Sequence, residues 1–110
     1  MTGDRGATTS LLPSTGGELA LLVVADGPPI VAPLAANREL RIGRGSGADI
    51  TIDDASLSRA HAVFRVRDGA VEVEDLGSSN GTTIRGARIT GATRVEVGEA
   101  IQLGTVLVVV

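Results

Sequence analysis

Residues 61–76 read HAVFRVRDGAVEVEDL, and this stretch decides the fold. It contains two runs in which apolar and polar residues alternate, and Asp68-Gly69 lies between them. Asp-Gly between two such runs is typical of a two-residue type I′ turn, because both turn residues adopt positive φ. The alternation directs the valines of the second run toward a core and its glutamates toward water. The stretch therefore predicts a β-hairpin.

Short apolar runs of the same kind lie on both sides of this hairpin. Glycines, 15 in 110 residues, mark turns between them, and no segment keeps a 3.6-residue apolar period over three turns. Many short strands separated by turns predict an all-β chain, an antiparallel sandwich or barrel. The further predicted strands are residues 18–26, 39–43, 49–53, 93–97, 100–104 and 105–110.

The length of 110 residues is sufficient for one domain and too short for two. Residues 1–17 are rich in Thr, Ser and Gly and are interpreted as a flexible tail before a domain at 18–110. Because the chain ends on VLVVV with no polar cap, we expect the domain to be part of a longer protein. We find no secretory signal and no apolar run long enough to span a bilayer, so a cytoplasmic location without membrane contact is expected.

The amino-acid composition excludes several chemistries. The chain has no Cys and one His, which rules out thiolate nucleophiles and Cys/His zinc sites. All ten basic residues are Arg, so neither a P-loop lysine nor a Schiff-base lysine exists. One aromatic residue cannot form a base-stacking platform, and a net charge of -3 disfavours direct binding of nucleic acid. No cofactor and no metal are expected.

Three loop segments place polar residues where the strand pattern breaks, at residues 43–49, 58–61 and 77–82. The second and third loops flank the 61–76 hairpin. Since a hairpin returns the chain to the end from which it started, Ser58 and Ser79-Asn80 must be neighbours. Arg, Ser and Asn side chains together with glycine N–H groups are nearly all hydrogen-bond donors. Such a rim favours an oxyanion such as phosphate.

These residues also form a family pattern: Gly43-Arg44, then Ser58-Arg59-Ala60-His61, then Asn80-Gly81-Thr82. In this pattern the chain resembles the forkhead-associated (FHA) domain, a phosphothreonine-peptide binder, over about residues 19–110. The resemblance implies an antiparallel two-sheet β-sandwich of the FHA/SMAD-like type, with the ligand loops at one end. It also implies a phosphorylated protein partner in a bacterial signalling pathway supplied by a Ser/Thr kinase, and no catalysis.

The resemblance assigns the following ligand roles. Arg44 would bind the phosphate oxygens, and Ser58 would donate its hydroxyl to them. Arg59 would add a second cation and Ser79 a further donor, while Asn80 would hold the peptide main chain beside the phosphothreonine.

Four other residues of the pattern are expected to be scaffold. His61 would brace the loop from inside, Gly43 and Gly81 would permit turns, and Thr82 would be structural at the site. A histidine that packs in the interior is more often a hydrogen-bonded core residue than a base.

Other interpretations remain open at the level of sequence. Ser58 and His61 could belong to a small hydrolase, or the domain could bind an unmodified protein surface. It could be a regulatory domain of a larger protein, such as a sigma-54-dependent transcription activator. Thr8 or Thr9, once phosphorylated, could also dock into the domain's own pocket.

Overall fold

The computed structural model describes residues 19–110, and within that range the chain forms eleven strands and no helix. The predicted all-β class is therefore confirmed. The strands are β1 (Leu19–Val24), β2 (Ile30–Leu34), β3 (Glu39–Gly43), β4 (Ile50–Thr51), β5 (Ala62–Arg67), β6 (Ala70–Asp75), β7 (Thr82–Ile84), β8 (Ala87–Arg88), β9 (Thr93–Val95), β10 (Ala100–Leu103) and β11 (Val106–Val109).

The strands form a two-sheet sandwich. One sheet has six strands in the order β2-β1-β11-β10-β7-β8, and the other has five in the order β4-β3-β5-β6-β9. The β5–β6 hairpin forms as predicted, with φ of 54° at Asp68 and 77° at Gly69. Both values are positive, as a type I′ turn requires.

One strand pair departs from the predicted antiparallel arrangement, because β4 runs parallel to β3. The 44–49 loop between them returns the chain to the start of the pair. Two hydrogen bonds hold it there. The Arg41 N–H donates to the Asp49 carboxylate at 2.8 Å, and the Asp49 N–H donates to the Arg41 carbonyl at 2.9 Å. The chain then enters β4 beside Ile42 and runs in the same direction as β3.

Three strands were absent from the sequence prediction: β2, β7 and β8. The segment IVAPL of β2 contains Pro33, which weakens a strand signal. Because β2 is an edge strand and pairs only with β1, the missing N–H of proline is tolerated. β7 and β8 are only three and two residues long, too short for an alternating pattern to be recognised.

The core lies between the two sheets and is almost entirely aliphatic. Phe64, the one aromatic residue, is fully buried. Leu21 and Val108 of the six-stranded sheet and Ile42 and Val73 of the other are buried with it. Dense aliphatic packing between the sheets gives the loops at the sandwich end a rigid base. Among residues 19–110, no helix is long and apolar enough to cross a membrane.

Candidate functional site

The loop after β4 is joined by its backbone to the end of β3. Arg44 N–H donates to the Ser58 carbonyl at 2.9 Å, and Gly45 N–H donates to the Arg59 carbonyl at 3.1 Å. A Cβ on Gly43 would overlap the Arg59 carbonyl oxygen and lie 2.7 Å from its carbon. Gly43 was expected to permit a turn, but its φ is not positive. Glycine is required here because the two backbones approach each other closely.

His61 connects two of the three loops from the interior. It is fully buried. Its Nδ1 accepts the Ser58 N–H at 3.1 Å, and its Nε2 lies 2.9 Å from the Gly81 carbonyl. An N–H can only donate and a carbonyl can only accept, so the ring is neutral with its proton on Nε2. His61 therefore holds the Ser58 loop and the Gly81 turn in a fixed relation.

A half-buried carboxylate organises the loop after β6. Asp75 accepts hydrogen bonds from the Gly77 and Ser78 N–H groups, both at 2.9 Å, and from the hydroxyls of Ser78 and Thr82. Burial favours the neutral acid, but these four donors outweigh burial and lower the pKa of Asp75. Ser78 Oγ then accepts the Gly81 N–H at 2.9 Å. The turn that precedes β7 is thus built on Asp75.

Ser58 and Ser79 meet at the surface as the hairpin geometry predicted. The Ser79 N–H donates to Ser58 Oγ at 3.0 Å. That bond occupies an acceptor lone pair of the hydroxyl and leaves its hydrogen available to a ligand. The Ser79 hydroxyl is exposed and has no hydrogen-bond partner among the described residues.

Asn80 is also tied to the neighbouring loop, by a bond from its Nδ2 to the Ser56 carbonyl at 2.8 Å. Ser56 in turn is anchored on both sides. Its hydroxyl donates to Asp54 at 2.6 Å and accepts the Thr105 N–H at 2.9 Å. Hydrogen bonds from the Ser56 side chain and backbone lower the pKa of Asp54, so this anchor carries a negative charge at neutral pH.

The arginines of the rim face outward. Arg44 donates from Nε to the Leu57 carbonyl at 3.2 Å, which fixes the guanidinium while its two terminal nitrogens have no partner within residues 19–110. Arg59 is exposed and forms neither a hydrogen bond from its side chain nor an ion pair within the same range. Each hydrogen bond to Asp75 comes from a neutral donor, so this carboxylate does not pair with either arginine.

The structure brings Arg44, Ser58, Ser79 and Asn80 together at one end of the sandwich, with Arg59 next to Ser58 in the chain. Gly81 has φ of +83°, the left-handed turn conformation expected for it. His61 and Thr82 are fully buried behind these residues, and each is hydrogen bonded as a scaffold residue would be. Thr8 and Thr9 lie outside the described residues. No group of three His, Asp or Glu side chains suited to a metal occurs in residues 19–110.

Sequence reasoning missed the supporting residues Asp75, Ser78 and Ser56. A signal existed for Asp75, because an Asp at the start of a turn often accepts hydrogen bonds from the backbone N–H groups two and three residues later. The predicted strand end at residue 76 concealed that signal. The anchor at Ser56 joins positions 49 residues apart, and no local pattern reveals it.

The family of this chain follows from its similarity to known proteins. The model of the family described as "FHA domain" matches residues 40–104, which is more than half of the chain. This chain belongs to the FHA domain family. The oxoglutarate dehydrogenase inhibitor of Corynebacterium glutamicum is 38% identical over 104 residues, which cover 94% of this chain and 71% of that protein.

The glycogen accumulation regulator GarA of Mycolicibacterium smegmatis is 34% identical over 103 residues, 93% of this chain and 64% of GarA. The curated relatives are thus longer than this FHA domain. Among solved structures, the FHA domain of the CT664 protein from Chlamydia trachomatis is similar with a TM-score of 0.75 and 29% identity, over 83% of this chain and 95% of that one. The FhaA FHA domain complexed with the intracellular domain of Rv3910 has a TM-score of 0.72 and 28% identity, over 83% and 98%.

Proposed function

We propose that Arg44, Ser58, Arg59, Ser79 and Asn80 form the site at which this FHA domain recognises phosphothreonine in a protein partner of a Ser/Thr-kinase pathway. Phosphate carries about -1.5 to -2 charges at pH 7 and three acceptor oxygens. The site offers matching chemistry: a fixed guanidinium, two hydroxyls and an amide on one rim. Charge-assisted hydrogen bonds to phosphate are about twice as strong as neutral ones.

The observation that carries this proposal is the bond between Ser79 N–H and Ser58 Oγ. Because it fills an acceptor position of the hydroxyl, the Ser58 hydrogen is left for a ligand, and Arg44 lies nearby through its hydrogen bonds to the Leu57 and Ser58 carbonyls. These donors are in place before any ligand arrives, so binding requires little reorganisation of the loops.

The alternative of a small Ser/His hydrolase receives no support from the geometry. His61 Nδ1 accepts the backbone N–H of Ser58 and Nε2 donates to Gly81, so neither nitrogen contacts the Ser58 hydroxyl. A nucleophilic serine needs a base within hydrogen-bond reach of its oxygen. We therefore propose a binding domain without catalysis, acting in the cytoplasm where kinases use ATP.

Titration calorimetry with matched peptides tests this function. We expect a phosphothreonine peptide to bind with a Kd on the order of a micromolar, about -8 kcal/mol. The unmodified threonine peptide should show no measurable binding, and a glutamate mimic should bind weakly because a carboxylate has two oxygens and one charge. Equal affinity for the modified and unmodified peptides would favour a phosphate-independent interaction domain instead.

The chain also carries two adjacent threonines ahead of the domain, and we propose that phosphorylated Thr8 or Thr9 competes for the site. From Thr9 to Glu18 an extended chain spans roughly 30 Å, comparable with a small domain's diameter. Kinase treatment of the full chain should then weaken binding of a phosphothreonine peptide. The Thr8→Ala/Thr9→Ala variant should be unaffected by the same treatment, and an equal loss in that variant would contradict self-docking.

A further inference from the structure

A third arginine lies at the binding end of the domain, outside the family pattern. Arg88 belongs to β8 and pairs opposite Thr83 of β7. Its side chain folds back over Gly81: the guanidinium carbon lies 2.7 Å from where a Cβ on Gly81 would be. Only glycine at position 81 leaves room for this approach, so the bare Gly81 backbone is the surface on which the guanidinium lies.

The turn beneath Arg88 is held from inside. Gly81 N–H donates to Ser78 Oγ, and the Gly81 carbonyl accepts from His61 Nε2, both at 2.9 Å. The backbone that carries Asn80 and supports Arg88 is therefore a single braced unit. Arg88 lies against Gly81, and Asn80 is the residue before Gly81, with its Cα about 3.8 Å away. Arg88 is therefore close to the side chain that is proposed to hold the peptide main chain.

Arg88 has no ion-pair partner within residues 19–110, unlike the other arginine of the β7–β8 hairpin. Arg85, three residues earlier, pairs with Glu99. On the opposite sheet Arg65 contacts Glu39 and Glu74 at 3.0 and 3.1 Å. Arg88 is exposed, and no carboxylate of the described residues neutralises it. A cation held against the ligand turn without a partner is available to a carboxylate of the bound peptide.

We propose that Arg88 forms a carboxylate subsite that selects peptides with an Asp or Glu close to the phosphothreonine. This inference rests on the proposed function. Asn80 would hold the peptide main chain beside the phosphothreonine, and an extended peptide advances about 3.3 Å per residue. The acidic side chain read by Arg88 therefore lies within two residues of the phosphothreonine, on the side of the peptide that Asn80 contacts.

Fluorescence anisotropy with a set of phosphothreonine peptides tests the subsite. Each peptide carries one Glu, placed at one of the two positions on either side of the phosphothreonine, and is compared with its Gln counterpart. For the whole chain we expect one position at which Glu binds about two- to fivefold more tightly than Gln, the range of an exposed ion pair. Raising the salt concentration should reduce that preference.

Arg88→Gln should bind the Gln peptides as the parent does and lose the preference for Glu. Arg88→Glu should prefer a Lys at the same position, which a merely structural role would not produce. Arg38→Gln is the matched control: Arg38 lies at the other end of the sandwich, beside Asp68 of the β5–β6 turn, and forms no ion pair within residues 19–110. It should keep the full preference for Glu.

The outcomes separate the subsite from the site it extends. If the parent prefers Glu and Arg88→Gln prefers it equally, or if the parent has no preference at any position while it binds phosphothreonine, the subsite is wrong and the proposed function stands. If the parent does not distinguish phosphothreonine from threonine, the proposed function fails, and the subsite fails with it.

Discussion

The inner and outer sides of the loop end of this FHA domain differ in how their polar groups are satisfied. On the inner side, both nitrogens of His61 and both oxygens of Asp75 are hydrogen bonded, and Thr82 donates to Asp75. On the outer side, Arg59 and the terminal nitrogens of Arg44 have no partner within residues 19–110. The same loops thus contain inner polar groups that are all hydrogen bonded and outer donors that are not.

This difference separates scaffold residues from the proposed ligand-binding residues without reference to any relative. A buried polar group without a partner costs free energy, so the inner network must be complete for the fold to form. Exposed donors are hydrated and cost little until a ligand replaces the water. Substitutions on the inner side should therefore change stability first, and substitutions on the outer side should change binding alone.

The largest effect is expected from Gly43→Ala, because the added methyl group would overlap the Arg59 carbonyl. It would separate the backbones joined by the Arg44 and Gly45 hydrogen bonds. Two such bonds, at about 1–3 kcal/mol for each pair left without partners, predict a loss of roughly 2–6 kcal/mol in unfolding free energy. Gly47→Ala is the control, since Gly47 has no atom within 4 Å of the new methyl group. Equal stability of the two variants in urea titrations would contradict this close-approach role.

A smaller effect, confined to binding, is expected from Ser58→Ala. Loss of one hydrogen bond to a charged phosphate, about 1.5–3 kcal/mol, should weaken phosphopeptide binding about ten- to a hundredfold. Stability should change by no more than about 0.5 kcal/mol, because the Ser79 N–H that loses the Ser58 hydroxyl as its acceptor is exposed and can bond to water instead. Ser46→Ala, on the exposed part of the adjacent 44–49 loop, serves as control in the same calorimetry. Parental affinity in the Ser58 variant would remove Ser58 from the site.

The smallest effect concerns pH and the inner network. The pKa of Asp75 in the folded state lies below its ordinary value of 3.8, so its ionised form stabilises the fold above that pH. This contribution should be lost as the pH falls through the folded-state pKa. Asp75→Asn should reduce the acid-induced fall in melting temperature, whereas Asp53→Asn, at an exposed residue of the loop between β4 and β5, should not. Identical acid profiles of Asp75→Asn and the parent would contradict the role of Asp75.

Local pattern was enough to predict the hairpin and the grouping of the loops. Asp68-Gly69 defines a turn by its own conformational preference, and a hairpin places its two ends together whatever the rest of the chain does. The rim of Ser58, Ser79 and Asn80 therefore followed from sequence, and the structure brings these residues together.

Contacts between distant segments could not be predicted in this way. The parallel β4 depends on the path of the 44–49 loop, and Ser56 meets Thr105 only after both sheets are assembled. Arg88 reaches Gly81 because a two-residue strand pairs in one particular register. Gly43 was noted as a turn residue, although the backbone that it accommodates comes from residue 59.

The most direct test pairs thermal melts with phosphopeptide isotherms for Arg44→Ala and His61→Ala. Arg44→Ala should bind about ten- to a hundredfold more weakly and lose no more than about 0.5 kcal/mol of stability. His61→Ala should leave the Ser58 N–H and the Gly81 carbonyl without partners and lose about 1–3 kcal/mol, with weaker binding as a consequence of loosened loops. If Arg44→Ala melts as low as His61→Ala, or binds the phosphopeptide with parental affinity, the separation of an inner scaffold from an outer ligand site is wrong.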